Sequence, residues 1–193
     1  VMNARGLSGA EVAAKILSSN GVLDVAVQRV SGNLTDHFDP TARVIRLSQS
    51  VYDSHSVAAV GVAAHEAGHA LQYAEDYFPI RLRAAIIPIT KVGSALSWPL
   101  IILGLVFSFG FLVNLGIILF SAVTLFQLVT LPVEFNASRR ALNILQQQGI
   151  LAPEELGGAR KVLTAAAMTY VAALLVSVMQ LLRLIALFSN RRD

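Results

Sequence analysis

Residues 65–69 read His65-Glu66-Ala67-Gly68-His69. On one helix His65 and His69 fall a turn apart on the same face. Their imidazoles then lie roughly 6 Å apart along the axis, close enough to share one metal ion. Glu66 sits beside them, where a carboxylate can take a proton from a metal-bound water. Two imidazoles and an adjoining carboxylate at this spacing are the donors and the base of a zinc hydrolase. The competing reading is a chance pattern in an amphipathic helix, and the rest of the chain must discriminate between the two.

Catalytic zinc takes three protein ligands and keeps one position for water. The chain has no Cys, so the ligands are nitrogen and oxygen. A third ligand on the same helix, in the metzincin manner, would need Gly and His where Gln72 and Glu75 stand. Glu75 is rotated off the His65/His69 face, and Asp76 lies too far along the helix. Glu134 is the best candidate, opening a stretch in which Glu134, Ala137, Ser138 and Ala141 share a small-residue face. Its other reading is a first-turn carboxylate favoured by the helix dipole. Glu154 and Glu155, after Pro153, read as ordinary first-turn acids. An intramembrane protease would draw an Asp from a second spanning helix, yet 92–133 and 162–182 contain none.

The elements that must position these residues fall into two kinds. Hydrophobic residues make up 55% of the 193 and charged ones only 14%, too apolar for an ordinary soluble domain. The net charge of +3 is too small to argue for a nucleic-acid partner. Ser8-Gly9-Ala10-Glu11 is a capping box opening a short amphipathic helix, with Val12, Ala13, Ile16 and Leu17 as its apolar stripe and Asn20-Gly21 as its stop. Segments 25–30 and 43–48 have strand character, and Asp39-Pro40 supplies turn chemistry between them. A small sheet with a hairpin there leads into the motif helix, expected over 56–73. His37, between Asp36 and Asp39, belongs either to a polar loop or near the metal or substrate. His55 is expected solvated at the start of the motif helix.

From 92 to 133 there is no charged residue and no His, a run of 42 residues. Two membrane crossings need about 20 each. Ser108-Phe109-Gly110 and Asn114 break the run near its middle, so a transmembrane helical hairpin is expected, returning to the side it left. Pro132 then suits the first turn of a new helix, and Gly149 its end. A third membrane helix is expected over 162–188, with Arg183 snorkelling near its end. The expected organisation is 1–91 as the first part of a catalytic unit, 92–133 as the hairpin, 134–161 as the second part, 162–188 as the last membrane helix and 189–193 as a basic tail. Arg81, Arg83 and Lys91 precede the hairpin and Arg139-Arg140 follow it, while its tip is uncharged. The positive-inside rule then puts the catalytic side in the cytoplasm, with Arg191-Arg192 on the opposite side if 162–188 spans.

The chain resembles the YugP-type bacterial membrane zinc metallopeptidases over nearly its whole length. The landmarks are Arg5-Gly6-Leu7-Ser8-Gly9-Ala10-Glu11-Val12-Ala13, Leu34-Thr35-Asp36-His37-Phe38-Asp39-Pro40, Ala59-Val60-Gly61-Val62-Ala63-Ala64-His65-Glu66, and Leu131-Pro132-Val133-Glu134-Phe135-Asn136-Ala137-Ser138-Arg139-Arg140-Ala141-Leu142. More distantly it is similar to the HtpX group of membrane proteases, in which a helical hairpin separates H-E-x-x-H from a glutamate ligand in E-x-x-x-D. Here Ser138 stands where that group has Asp. Family members also look as though they begin with an additional transmembrane helix, ahead of the residues seen here.

The resemblance implies a mainly α membrane protein with a small α+β, zincin-like (gluzincin) catalytic unit, the hairpin inserted between the H-E-x-x-H helix and the glutamate-ligand helix. It implies a multi-pass protein of the bacterial inner membrane. It also implies hydrolysis of peptide bonds in membrane or misfolded proteins, with His65, His69 and Glu134 on Zn2+ and Glu66 as general base. The partners are then polypeptide substrates and the lipid bilayer, with no nucleic acid. Ser138 is a candidate for supporting the ligands, and His37, Arg139 and Tyr170 for stabilising an oxyanion. The strand at 43–47 is the candidate for pairing with an extended substrate. The alternative is a non-catalytic zinc-binding membrane scaffold or assembly factor, against which the intact Glu66 argues.

Overall fold

The computed structural model describes residues 1–189; the basic pair Arg191-Arg192, and all of the expected tail but its first residue, lie outside the described residues. The chain is mainly helical. Its elements run α1 (Gly9–Ser19), β1 (Ala26–Val30), β2 (His37–Asp39), β3 (Val44–Ser48), α2 (Gln49–Tyr52), α3 (Val57–Ala74), α4 (Phe78–Val106), α5 (Gly110–Gln147) and α6 (Pro153–Ser189). They form two compact units, one from Val1–Tyr77 with Val133–Ala167, the other from Phe78–Pro132 with Met168 onward.

In the first unit α1 starts on the expected capping box. Ser8 Oγ accepts from Glu11 N at 3.3 Å, and the Glu11 carboxylate accepts from Ser8 N at 2.7 Å. These bonds hold the Glu11 carboxyl below its usual range. The sheet has the order β1-β3-β2, with β1 parallel and β2 antiparallel to β3. The hairpin around Asp39-Pro40 is therefore present. β3, however, lies in the centre with both of its edges already paired, so it cannot take a substrate strand; the open edges belong to β1 and β2. Burial explains the order, because Val44, Ile45, Leu47 and Ser48 are all buried whereas β1 is largely exposed.

Apart from the face bearing His65, His69 and Gln72, α3 is largely apolar and sits inside the unit, with Val60, Ala63, Ala64 and Ala67 fully buried. Around it pack Val12, Ala13 and Ile16 of α1, Ile45 and Leu47 of β3, Ala141 and Leu145 of α5, and Ala159 and Leu163 of α6. Ser56 caps the helix by accepting from Ala59 N at 3.1 Å. At its far end Asp76 takes a left-handed conformation (φ 53°) and Tyr77 N donates to Gln72 O at 2.9 Å. The same C-terminal cap closes α1 at Gly21 and α5 at Gly149, the two stops expected from sequence. His55 precedes the helix and is half-buried; its Nδ1 lies 2.8 Å from Gly6 O, so it ties down the N-terminal segment instead of standing in solvent.

The second unit contains α4 and the remaining parts of α5 and α6. α4, α5 and α6 are each long and apolar enough to cross a membrane. The break between α4 and α5 falls at 107–109, where Ser108 (φ 56°) forms the cap and Phe109 N donates to Gly104 O at 2.8 Å. The two helices pack closely, and a methyl group on Gly116 would come within 2.7 Å of Ser97 O. Large apolar side chains face outward, among them Ile102, Phe111 and Met179, each more than half exposed. A hydrogen bond between Thr124 and Ser177, 2.7 Å long and buried, joins α5 to α6.

Pro132 does not start a helix. It lies inside α5, which continues to Gln147. A proline there removes a single intrahelical bond, to the carbonyl four residues back, and a long helix with favourable residues on both sides bridges that gap.

Candidate metal centre

His65 and His69 project from one face of α3, and Glu134 from α5, within the first unit. What lets the two helices meet is Gly68, seated between the histidines. Its α-carbon faces the main chain of Ala137, and a methyl group there would lie 2.8 Å from Ala137 O. Ala137 and Ala141 are fully buried, so the small-residue face read from the sequence is the face that packs.

His65 Nε2 lies 3.1 Å from Glu134 Oε2, and His69 Nε2 lies 3.6 Å from the same oxygen. The two rings are 4.7 Å apart and nearly perpendicular. Ligands about 2.05 Å from a tetrahedral zinc stand about 3.3 Å from one another. The two measured separations bracket that value, and all three donor atoms lie within 4.8 Å of each other. These residues therefore fit zinc by donor chemistry and by spacing. Among the described residues this is the one group of three or more such side chains able to hold a metal ion.

The electrostatics agree. Burial pushes the Glu134 carboxyl up, but hydrogen bonds and charge attraction from the two histidines outweigh it and hold the group well below its ordinary value. Burial likewise depresses His69, yet the contact with Glu134 and the nearby Glu66 carboxylate leave it raised. Each group favours its charged form because the other is close. A cation placed among them would satisfy the same oxygen without the protons.

Both histidines are held from behind. His65 Nδ1 is 3.1 Å from Ser138 Oγ, so the serine supports one of the two histidines that could hold a metal ion. Gln72 Oε1 accepts from His69 Nδ1–H at 3.0 Å. Sequence reading missed Gln72 because it considered position 72 only for the metzincin glycine. The available signal was its place three residues after His69, a spacing at which helical side chains meet.

Glu66 is buried on α3 with 8% of its surface exposed. Glu75 caps the helix and accepts from Arg140 Nη1 at 2.6 Å, which engages it apart from the His65–His69–Glu134 group. The three oxyanion candidates belong to three different elements, β2, α5 and α6. His37 lies on the edge strand β2, with Nδ1 2.7 Å from Thr35 O and Nε2 3.5 Å from Arg46 Nη1. Arg139 is exposed on α5, and Tyr170 is part of the second unit. β2 itself adjoins the motif helix, where Phe38 meets Tyr73 edge-to-face at 5.5 Å.

Residues 1–189 match a family described as "putative neutral zinc metallopeptidase". Over 188 residues the chain is 51% identical to the "putative membrane protease YugP" of Bacillus subtilis (strain 168), an alignment covering 97% of this chain and 84% of that protein. No solved structure matches.

Proposed function

The chain belongs to this zinc metallopeptidase family, and on that premise we propose that it is a membrane-embedded, zinc-dependent endopeptidase acting on membrane or misfolded proteins. The observation that carries the reading is the convergence of His65 Nε2, His69 Nε2 and Glu134 Oε2 at spacings suited to one tetrahedral ion. His65, His69 and Glu134 hold the metal in a gluzincin-like set. When bound, zinc supplies a Lewis acid for the scissile carbonyl and a water acidic enough to ionise near neutrality.

The remaining steps belong to the chain's own residues. Glu66 takes the proton from the attacking water and later delivers it to the leaving amine nitrogen. Its nearly complete burial removes competing solvent and strengthens its interaction with the charges beside it. Ser138 and Gln72 orient the two imidazoles. The apolar lengths of α4, α5 and α6 lie in the bilayer, as the homologue's name and the outward apolar side chains support. The unit of 1–77 and 133–167 is the catalytic one and lies on the cytoplasmic side, with Arg81, Arg83, Lys91, Arg139 and Arg140 clustered in sequence around the hairpin.

The test is Glu66→Gln in the zinc-loaded protein, followed by cleavage of an unfolded or membrane protein substrate. The expected result is loss of turnover by at least about a hundredfold with zinc retained. Unchanged turnover in the variant would remove the general-base mechanism. A wild type that binds zinc but cleaves nothing would favour the scaffold reading.

A further inference from the structure

Gln72 is fully buried, and every polar atom of its side chain is engaged. Nε2 donates to Val133 O at 2.9 Å and to Asn136 Oδ1 at 2.9 Å, while Oε1 faces His69 Nδ1 at 3.0 Å. An amide can be turned end for end, so its orientation has to be argued from its neighbours. Here two of them have fixed polarity. The Val133 carbonyl can only accept, which requires the amide nitrogen of Gln72 to face it. Arg140 Nε, 2.7 Å from Asn136, can only donate, which requires the oxygen of Asn136 to face it and hence to accept from Gln72 as well. Arg140 is itself held by Glu75 at 2.6 Å and lies over the Tyr77 ring at 5.7 Å.

With the amide so fixed, Oε1 can only accept, and the proton must reside on His69 Nδ1. We infer that Gln72 is the positioning residue of the metal site: it locks His69 in the Nδ1–H tautomer and so keeps the Nε2 lone pair free for the metal. The lock is set by the Val133 carbonyl and by the Asn136–Arg140–Glu75 chain. His65 has no such lock, because the Ser138 hydroxyl can either donate or accept. The two histidines of one motif are therefore held differently, one in a dictated state and one in a permissive state. This inference rests on the reading of His69 as a zinc ligand.

The experiment labels the four histidines of the metal-free chain with 15N in detergent micelles and reads the tautomer of each neutral ring at alkaline pH. In the wild type His69 should carry its proton on Nδ1. In Gln72→Met the population should shift towards Nε2–H, and the zinc dissociation constant, read by chelator competition, should rise about 10- to 100-fold. A merely structural role would lower thermal stability without moving the tautomer. A wild-type His69 protonated on Nε2 overturns the inference, and that measurement needs no variant to fold. A folded Gln72→Met chain with unchanged zinc affinity overturns it too. If the wild type binds no zinc, the metal reading fails, while the tautomer of the metal-free chain still decides the role of Gln72.

Discussion

Gly68 faces the main chain of Ala137 so closely that a methyl group on it would lie 2.8 Å from Ala137 O. This contact is against backbone, which cannot turn aside as a side chain can. Gly68→Ala should push α5 away from α3, cost about 1–3 kcal/mol of stability and lower zinc content. Gly61→Ala, on the same helix, meets Ala159 Cβ at an ordinary 3.4 Å. There the gain in helix propensity, up to about 1 kcal/mol, should leave stability unchanged or improved. Thermal unfolding and metal analysis of the two variants check the contrast.

The opposed shifts of Glu134 and His69 predict a pH window for the metal-free chain. Glu134 is lowered from 4.5, so its contribution is present above that value and lost as pH falls through the folded value. His69 is raised from 6.5, so its contribution is full below that value and lost as pH rises through the folded value. Between 4.5 and 6.5 both act together. Unfolding midpoints measured across pH should peak there in the wild type, and Glu134→Gln should flatten both limbs and reduce zinc affinity.

Ser138→Ala should weaken zinc binding less than Gln72→Met does, because the hydroxyl behind His65 dictates neither tautomer. Ser138→Asp should strengthen binding, since a carboxylate behind a ligating imidazole raises its basicity. Chelator competition on the three variants ranks them.

Much of this was legible in advance. The capping box at Ser8, the stops at Gly21 and Gly149, the break near Phe109 and the motif helix follow from local chemistry, in which a few neighbouring residues decide the outcome. The convergence of Glu134 with His65 and His69 was legible only as a candidate, because nothing local brings two residues 65 positions apart together. Three expectations failed for non-local reasons, the first being a solvated His55, which instead contacts Gly6, 49 positions earlier. Segment 43–48 reads locally as a strand with an edge free for substrate, yet β1 and β2 take its two edges, and Ile45 and Leu47 enter the core. Pro132 carries a local start signal that the surrounding helix overrides. Gln72 was invisible because an amide acquires its role only from the polarity of the groups around it.

Orientation can be read directly, since the chain is free of cysteine. With Phe109→Cys at the α4–α5 tip and Asn20→Cys after α1, a membrane-impermeant maleimide added to intact cells should label the first, and the second only after lysis. The reverse pattern would place the catalytic unit outside.

The first unit is assembled from 1–77 and 133–167, with the α4–α5 segment made in between. During synthesis the histidines therefore leave the ribosome well ahead of their acidic partner. At about 5–20 residues per second, the 65 residues separating His69 from Glu134 take about 3 to 13 s to make. Over that interval the nascent chain has its motif helix but no complete donor set, and no Val133 carbonyl or Asn136 to orient Gln72. Assembly of the three-residue donor set is thus postponed until the intervening apolar segment has been made, a delay built into the order of the chain.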